Sequence, residues 1–380
     1  MNRWEKNLLG VPIKEIPSLL PGLLVASLLA WLSIWLSSFI GVNLMGFNKS
    51  PISAVMLALL CGLVIGNLIT LPEQLNPGLT FAVKKVLRLG IILLGIRLSI
   101  YSVFKLGALG IPIVLVCILG ALGITSRLNK WLNQPERLGT LIAVGTSICG
   151  VSAIIATGPA IDAEDEEVAY AVALITIFGL IATLVYPIVA YTLFGGDEVK
   201  VGLFLGTSIH DTSQVTGAAL VFSDLFSLPH ALDVATITKL TRNVFMAAVI
   251  PFMAFYYTRK MADRSEFAGK KVSIANLLPL FIVGFLAFAV IRSIGDAGIN
   301  AGGRAFGVWD NTAWMDIHSF LKAQAVNFLV VALAGVGLST RLSKFKGLGK
   351  KPFLVGLGAA LTVGVVSFIA ISLLGTFVAF

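Results

Sequence analysis

The chain has 380 residues, 57% hydrophobic and 12% charged, with a mean hydropathy of +0.95 and a formal net charge of +9. A soluble domain carries about 25% charged residues, so this composition excludes one and predicts an all-α polytopic membrane protein, with 1–380 as one transmembrane domain. The three cysteines, Cys61, Cys117 and Cys149, all lie in apolar segments, which excludes a disulfide framework.

Met1 to Gly22 is basic and amphipathic and lacks a small-residue cleavage site, so no cleavable signal peptide is expected. Apolar runs long enough for ~30 Å of hydrocarbon fall at 19–40, 53–70, 79–98, 105–123, 137–159, 168–192, 198–223, 231–257, 273–293, 313–338 and 353–378. That pattern predicts eleven membrane helices joined by short loops. If the N-terminus is cytoplasmic, the inner segments include 1–18 (Arg3, Lys6, Lys14), 124–137 (Arg127, Lys130, Arg137), 258–272 (Arg259, Lys260, Arg264, Lys270, Lys271) and 339–351 (Arg341, Lys344, Lys346, Lys350, Lys351). These four hold 16 of the 28 Lys and Arg residues. The acidic run Asp162, Glu164, Asp165, Glu166, Glu167 then falls outside. The net charge is therefore read as a topology signal, with the N-terminus inside and the C-terminus outside, and nucleic acid is excluded as a partner.

Within the seventh run, Gly206-Thr-Ser-Ile-His-Asp-Thr-Ser-Gln-Val-Thr-Gly217 places His210 and Asp211 near mid-bilayer. A charged group at that depth costs at least ~2.5 kcal/mol, and chains keep such groups where they face a partner, a cavity or a substrate. Gly145-Thr-Ser-Ile-Cys-Gly-Val-Ser152 repeats the pattern at an offset of 61 residues. Two polar, glycine-bearing interruptions predict two broken helices crossing near the midplane. A second similarity, at an offset of 240 residues, matches Leu93, Gly95, Leu98, Ser99, Gly107 and Pro112 with Leu333, Gly335, Leu338, Ser339, Gly347 and Pro352. It joins spans of opposite direction, as inverted repeats do, whereas the offset of 61 joins spans 5 and 7 of the same direction. Either one similarity is fortuitous or one polar segment is re-entrant.

Helix N-termini at such breaks favour an anion. The expected lining is Thr146, Ser147, Ser152, Thr207, Ser208, Ser213 and Gln214; the blander reading has the hydroxyls bonding between packed helices. Span 8 adds Lys239, Arg242 and Asn243 at spacings of three and four, on one helix face. Asp211 can neutralise one of the two bases, and the remaining positive charge points to an anionic solute. Elsewhere, Lys84, Lys85 and Arg88 are expected to snorkel to the surface. His230 and His318 are expected to be wetted, and Asp316, His318 and Lys322 are candidates for an outer vestibule.

Leu94-Gly-Ile-Arg-Leu-Ser99, Ser147-Ile-Cys-Gly-Val-Ser-Ala-Ile154, Glu166-Glu-Val-Ala-Tyr-Ala171, Ser208-Ile-His-Asp-Thr-Ser-Gln-Val215 and Ala235-Thr-Ile-Thr-Lys-Leu-Thr-Arg242 resemble the YeiH-like family of bacterial inner-membrane proteins, to which sulfate export is ascribed. The resemblance covers most of the chain and implies membership of the wider cation–proton antiporter and anion transporter superfamily, with inverted repeats, broken helices and a multi-pass location in the bacterial inner membrane. Ser213 departs from the alanine expected in many relatives and leaves the His-Asp pair intact.

The function expected is secondary active transport of a small anion (sulfate, sulfite or a small organic sulfonate or carboxylate). Lys239, Arg242 and Asn243 would hold the solute, while Asp211 with His210 would carry the coupling proton. A cation/proton antiporter using Asp211, with a proton or sodium as coupling ion, is the alternative. An intramembrane hydrolase is remote, because adjacent helical residues point about 100° apart and Asp211 would not orient His210. The chain lacks a Gly-x-x-x-x-Gly-Lys-Ser/Thr sequence, so ATP is not the expected driver. No cofactor, metal or catalytic residue is expected, and a homodimer is one assembly the reading admits.

Overall fold

The computed structural model describes residues 12, 15–44, 53–261, 280–341 and 349–378. Of the expected inner basic residues, Arg3, Lys6, Lys14, Arg264, Lys270, Lys271, Lys344 and Lys346 lie outside them. Among the described residues the chain is helical, with a lone bridge between Ala305 and Trp309. In chain order, α1 (Ile16–Ser38) and α2 (Ala54–Leu68) precede α3 (Asn76–Phe81) and α4 (Leu87–Leu94), which are joined by a π-helical turn, Ala82–Val86. Then come α5 (Ile100–Trp131), α6 (Glu136–Ser147), α7 (Val151–Thr157), α8 (Asp165–Phe194), α9 (Glu198–Ser208) and α10 (Thr212–Phe226). The remainder are α11 (His230–Val244), α12 (Met246–Met261), α13 (Leu280–Asn300), α14 (Asn311–Ser339) and α15 (Lys350–Leu374). Six described helices, α1, α5, α8, α13, α14 and the α15 segment, are long and apolar enough to cross a membrane.

The chain packs as two compact units, one drawn from 1–103, 220–227 and 280–343, the other from 104–219, 228–279 and 344–380. Each unit interleaves three stretches of the same apolar composition, so no composition shift marks a boundary.

In the first unit, α14 packs against α1, α2 and α4. A methyl placed on Gly337 would stand 2.4 Å from the Leu59 carbonyl oxygen, and one on Gly62 would stand 2.8 Å from that of Ala334. The α2 and α14 backbones therefore touch, as small residues allow between membrane helices. Gly90 meets Ala325 and Leu329 while Gly335 meets Ala82 and Val83, so α4 and α14 run antiparallel. The similarity at offset 240 thus falls on the closing turns of two antiparallel helices, each ending in an extended residue, Leu98 and Thr340. Its Gly347 lies outside the described residues.

The second unit corrects the span assignment. α5 and α15 run antiparallel, with Leu128 on Gly358 and Val366 on Gly120. α8 runs parallel to α15, with Phe178 on Gly356 and Tyr186 on Gly364. The end of α5 and the starts of α6, α8 and α15 therefore share one side. From there α6 runs inward, breaks at 148–150, and α7 brings the chain back. Arg137 Nη1 lies 3.7 Å from Glu164 Oε1, and Ile154 and Ile161 share a core with Leu138, Leu141 and Ile142. Residues 136–164 form a helical hairpin that returns to the side where it starts.

α9 and α10 do the same from the other side. Lys200, at the start of α9, lies beside Gly375, past the far end of α15. Gly202 packs on Ala231 and Val234, and Gly206 on Ala235 and Thr238, so α9 and α11 lie parallel. Glu198 Oε2 accepts the backbone N–H of His230 and, at 3.2 Å, that of Ala231. α10 must therefore carry the chain back to the origin of α9. The runs expected to cross at 137–159 and 198–223 are two opposed hairpins, and the crossing of two broken helices is replaced by a meeting of two tips. Each hairpin holds as many apolar residues as a span, so composition cannot separate the two forms. Within the second unit the described basic residues Arg127, Lys130 and Arg137 stay together on one side. The first hairpin moves the acidic run Asp162–Glu167 to that same side.

This geometry resolves the two similarities. At offset 61 the break register matches residue for residue: α6 ends at Ser147 and α9 at Ser208, while α7 starts at Val151 and α10 at Thr212. The copies run in opposite directions, as an inverted pair requires.

Candidate functional site: two cations at opposed hairpin tips

Each tip is built by its local sequence. Gly150 has φ 68° and ψ −121°, a conformation that only glycine adopts without strain, and it turns the first hairpin. In the second, Ile209 is extended (φ −92°, ψ 143°) and Asp211 caps α10 by accepting the Ser213 N–H at 2.9 Å and the Ser213 hydroxyl. The tips touch: a methyl on Gly150 would lie 3.4 Å from the Asp211 Cα.

α6 and α9 point their C-termini at this junction, and each helix end carries about −0.5 charge. Lys239 and Arg242, both 0% exposed, reach the junction from α11. Lys239 Nζ donates to the carbonyls of Ile148 (2.8 Å), Ile209 (3.0 Å) and His210. Arg242 donates through Nε to Ser147 O (2.6 Å), through Nη2 to Thr146 O (2.6 Å) and through Nη1 to Thr207 O. Three carbonyl acceptors around one nitrogen match the three N–H donors of an ammonium, one more than a neutral amine has. One cation ties the loops of the two tips and the other ties the last turns of the two inward helices. Among the described residues every partner of both cations is a backbone carbonyl.

Most of the expected polar lining is therefore engaged otherwise. The hydroxyls of Thr146, Ser147, Thr207 and Ser208 donate to carbonyls of their own helices at 2.6–3.1 Å and are fully buried; their backbone oxygens, or those next to them, do the holding. Ser213 caps with Asp211, and Gln214 bridges Asp211 N–H (3.2 Å) and Thr176 O (3.2 Å). Asn243 donates to the Thr212 hydroxyl at 3.1 Å, and its carbonyl oxygen has no partner among the described residues. Ser152 is exposed, and Asp211 and Thr212 are half-buried. His210 is 1% exposed, and neither ring nitrogen has a partner among the described residues. The carbonyls of Ile148 and Ile209 were missed in the sequence; no side-chain signal marks them, though both follow a Gly-Thr-Ser triplet.

The first unit holds a second polar cluster. Asp296 pairs with Arg292 and accepts the Trp314 indole N–H at 2.8 Å. His318, expected to be wetted, is 0% exposed and packs edge-on to Trp314. It is not open to a vestibule, whereas Asp316 on the same helix is exposed. Arg88, expected to snorkel, lies 5.8 Å over the Phe281 ring.

Fold and site define a multi-pass membrane protein whose two re-entrant hairpins are locked tip to tip by buried cations. The chain belongs to the family described as conserved hypothetical protein 698, whose model matches residues 21–356. It is 32% identical over 320 residues to a UPF0324 membrane protein of Fusobacterium nucleatum, covering 84% of this chain and 90% of that relative. A UPF0324 membrane protein of Streptococcus agalactiae is 30% identical over 334 residues (88% and 93% covered), and one of Clostridium tetani 32% over 333 (85% and 90%). These names say membrane protein and specify no solute.

Proposed function

We infer that the protein is a secondary transporter of a small anion, sulfate, sulfite or a small organic sulfonate or carboxylate, working by alternating access in the bacterial inner membrane. The observation that carries the reading is the charge at the tips. Two fully buried cations stand near one carboxylate, Asp211, among the described residues, and the formal excess of one positive charge is offset only by the partial charges of two helix C-termini. Such charge is retained in membranes where a solute or a pathway uses it. The cations act through their field, because carbonyls hold their donors. Contact with the anion falls to hydroxyl donors still accessible at the tips: those of Ser152, which is exposed, and Thr212, which is half-buried. The opposed hairpins support alternation, since each tip belongs to a segment rooted on a different side. Asp211, half-buried beside the cations, is the group suited to carry a coupling proton, with His210 beside it.

The test is flux in proteoliposomes loaded with radiolabelled sulfate or sulfite. The expected result is counterflow or proton-driven uptake that falls at least tenfold in Ser152→Leu, which fills the accessible tip. Flux of sodium or another cation, with none for any anion in the panel, would assign Asp211 to the cation/proton antiporter reading instead.

A further inference from the structure

The arrangement around Lys239 is the coordination shell of a small cation. Three carbonyl oxygens, from Ile148, Ile209 and His210, converge on one point between two chain segments, and no carboxylate takes part among the described residues. Two of these oxygens lie 2.8 and 3.0 Å from the nitrogen. They come from loops just past the C-termini of α6 and α9, where helix dipoles and unpaired carbonyls attract positive charge. Carbonyls of irregular backbone inside a membrane protein need a hydrogen-bond donor or a cation.

We propose that this carbonyl cage is a monovalent-cation site whose resident cation is the chain's own Lys239 ammonium. The ammonium is tethered by its stem to α11, so the cage is filled without a dissolved ion, and the tips stay joined whatever the sodium or potassium concentration. Two features set the site apart from an ordinary buried lysine. Its acceptors come from both inverted copies, so the cation closes the interface between the hairpins. Gly145 and Gly206 are matched positions, and the residues packed on them are Ile175 on α8 and Thr238 on α11, so the α8 residue in the register of Lys239 is the uncharged Thr176 and the Lys239 ammonium serves both tips. The inference holds whether the transported solute is an anion or not.

The test is replacement and rescue. Lys239→Ala retains Cβ, so propylammonium restores the deleted atoms. The purified variant is expected to have a lower thermal midpoint than the wild type and to regain it with propylammonium. Tetramethylammonium, which has the same charge but no N–H donor, should give no recovery. Equal response to both ions, or response to neither in a folded variant, overturns the proposal. If the alanine variant does not fold, Lys239→Met keeps an apolar stem and is tested with ammonium against tetramethylammonium by the same criterion. The wild-type chain gives an independent arm: its thermal midpoint should be equal in sodium, potassium and choline chloride. A stabilisation specific to sodium or potassium would show that the cage takes a dissolved ion and would overturn the proposal. Cage rescue without anion flux, or anion flux without rescue, would separate this inference from the transport reading.

Discussion

Arg242→Ala is expected to unfold or disable the second unit more severely than any other single substitution. Arg242 joins Thr146 O and Ser147 O at the end of α6 to Thr207 O at the end of α9. Alanine would strand three carbonyls in a site where the arginine is 0% exposed, and each stranded buried acceptor carries a desolvation penalty. It would also remove the charge that balances two helix C-termini. Removing one partner of a buried charged arrangement typically costs about 3–5 kcal/mol, a large fraction of the stability of any domain. Arg242→Lys should rescue little, because one ammonium cannot span oxygens that the planar guanidinium reaches through three nitrogens. Thermal unfolding of purified protein in detergent checks both. A wild-type midpoint in the alanine variant would mean that the hairpins are held elsewhere.

Asp211→Asn should have the largest effect on function with the least on fold. Asparagine caps helices as well as aspartate does, so it can still accept the Ser213 N–H and keep α10 in place. What changes is charge: Asp211, the one acid beside Lys239 and Arg242 among the described residues, becomes a side chain that is neutral at every pH. If Asp211 carries the coupling proton, flux in the variant should lose its dependence on pH and no longer be driven by a proton gradient, while counterflow of the anion persists. A pH profile unchanged from the wild type in a folded variant would remove Asp211 from the coupling role.

The polar interruptions were legible because Gly-Thr-Ser-Ile followed by His-Asp is costly inside lipid, and the offset of 61 paired the segment 145–152 with 206–217; the residues at which the helices break came from the structure. The convergence of Lys239, Arg242 and Asn243 on those breaks followed from their shared helix face. The direction of their donors did not. A sequence shows side chains, and here the acceptors are backbone carbonyls exposed only because α6 and α9 stop where they do. The hairpins were hidden for a related reason. A re-entrant pair such as α6 and α7 has the length and hydropathy of one span, and the positive-inside rule is blind to removing two crossings at once. The acidic run Asp162–Glu167 was the one available hint, because its partner Arg137 sits at the start of the same segment. His318 was misjudged because nearness to a helix start says nothing about burial, which Trp314 provides.

The meeting of two oppositely rooted hairpins on Lys239 and Arg242 is tested most directly by sidedness. Single cysteines at Asn133, Asp162, Gly196 and His230, all exposed positions, would be introduced after replacing Cys61, Cys117 and Cys149. They would then be labelled in oriented vesicles with a membrane-impermeant maleimide. The hairpin arrangement puts Asn133 and Asp162 on one side and Gly196 and His230 on the other. Labelling that groups Asn133 with Gly196 and Asp162 with His230 would mean that both segments cross the membrane, and would contradict the arrangement.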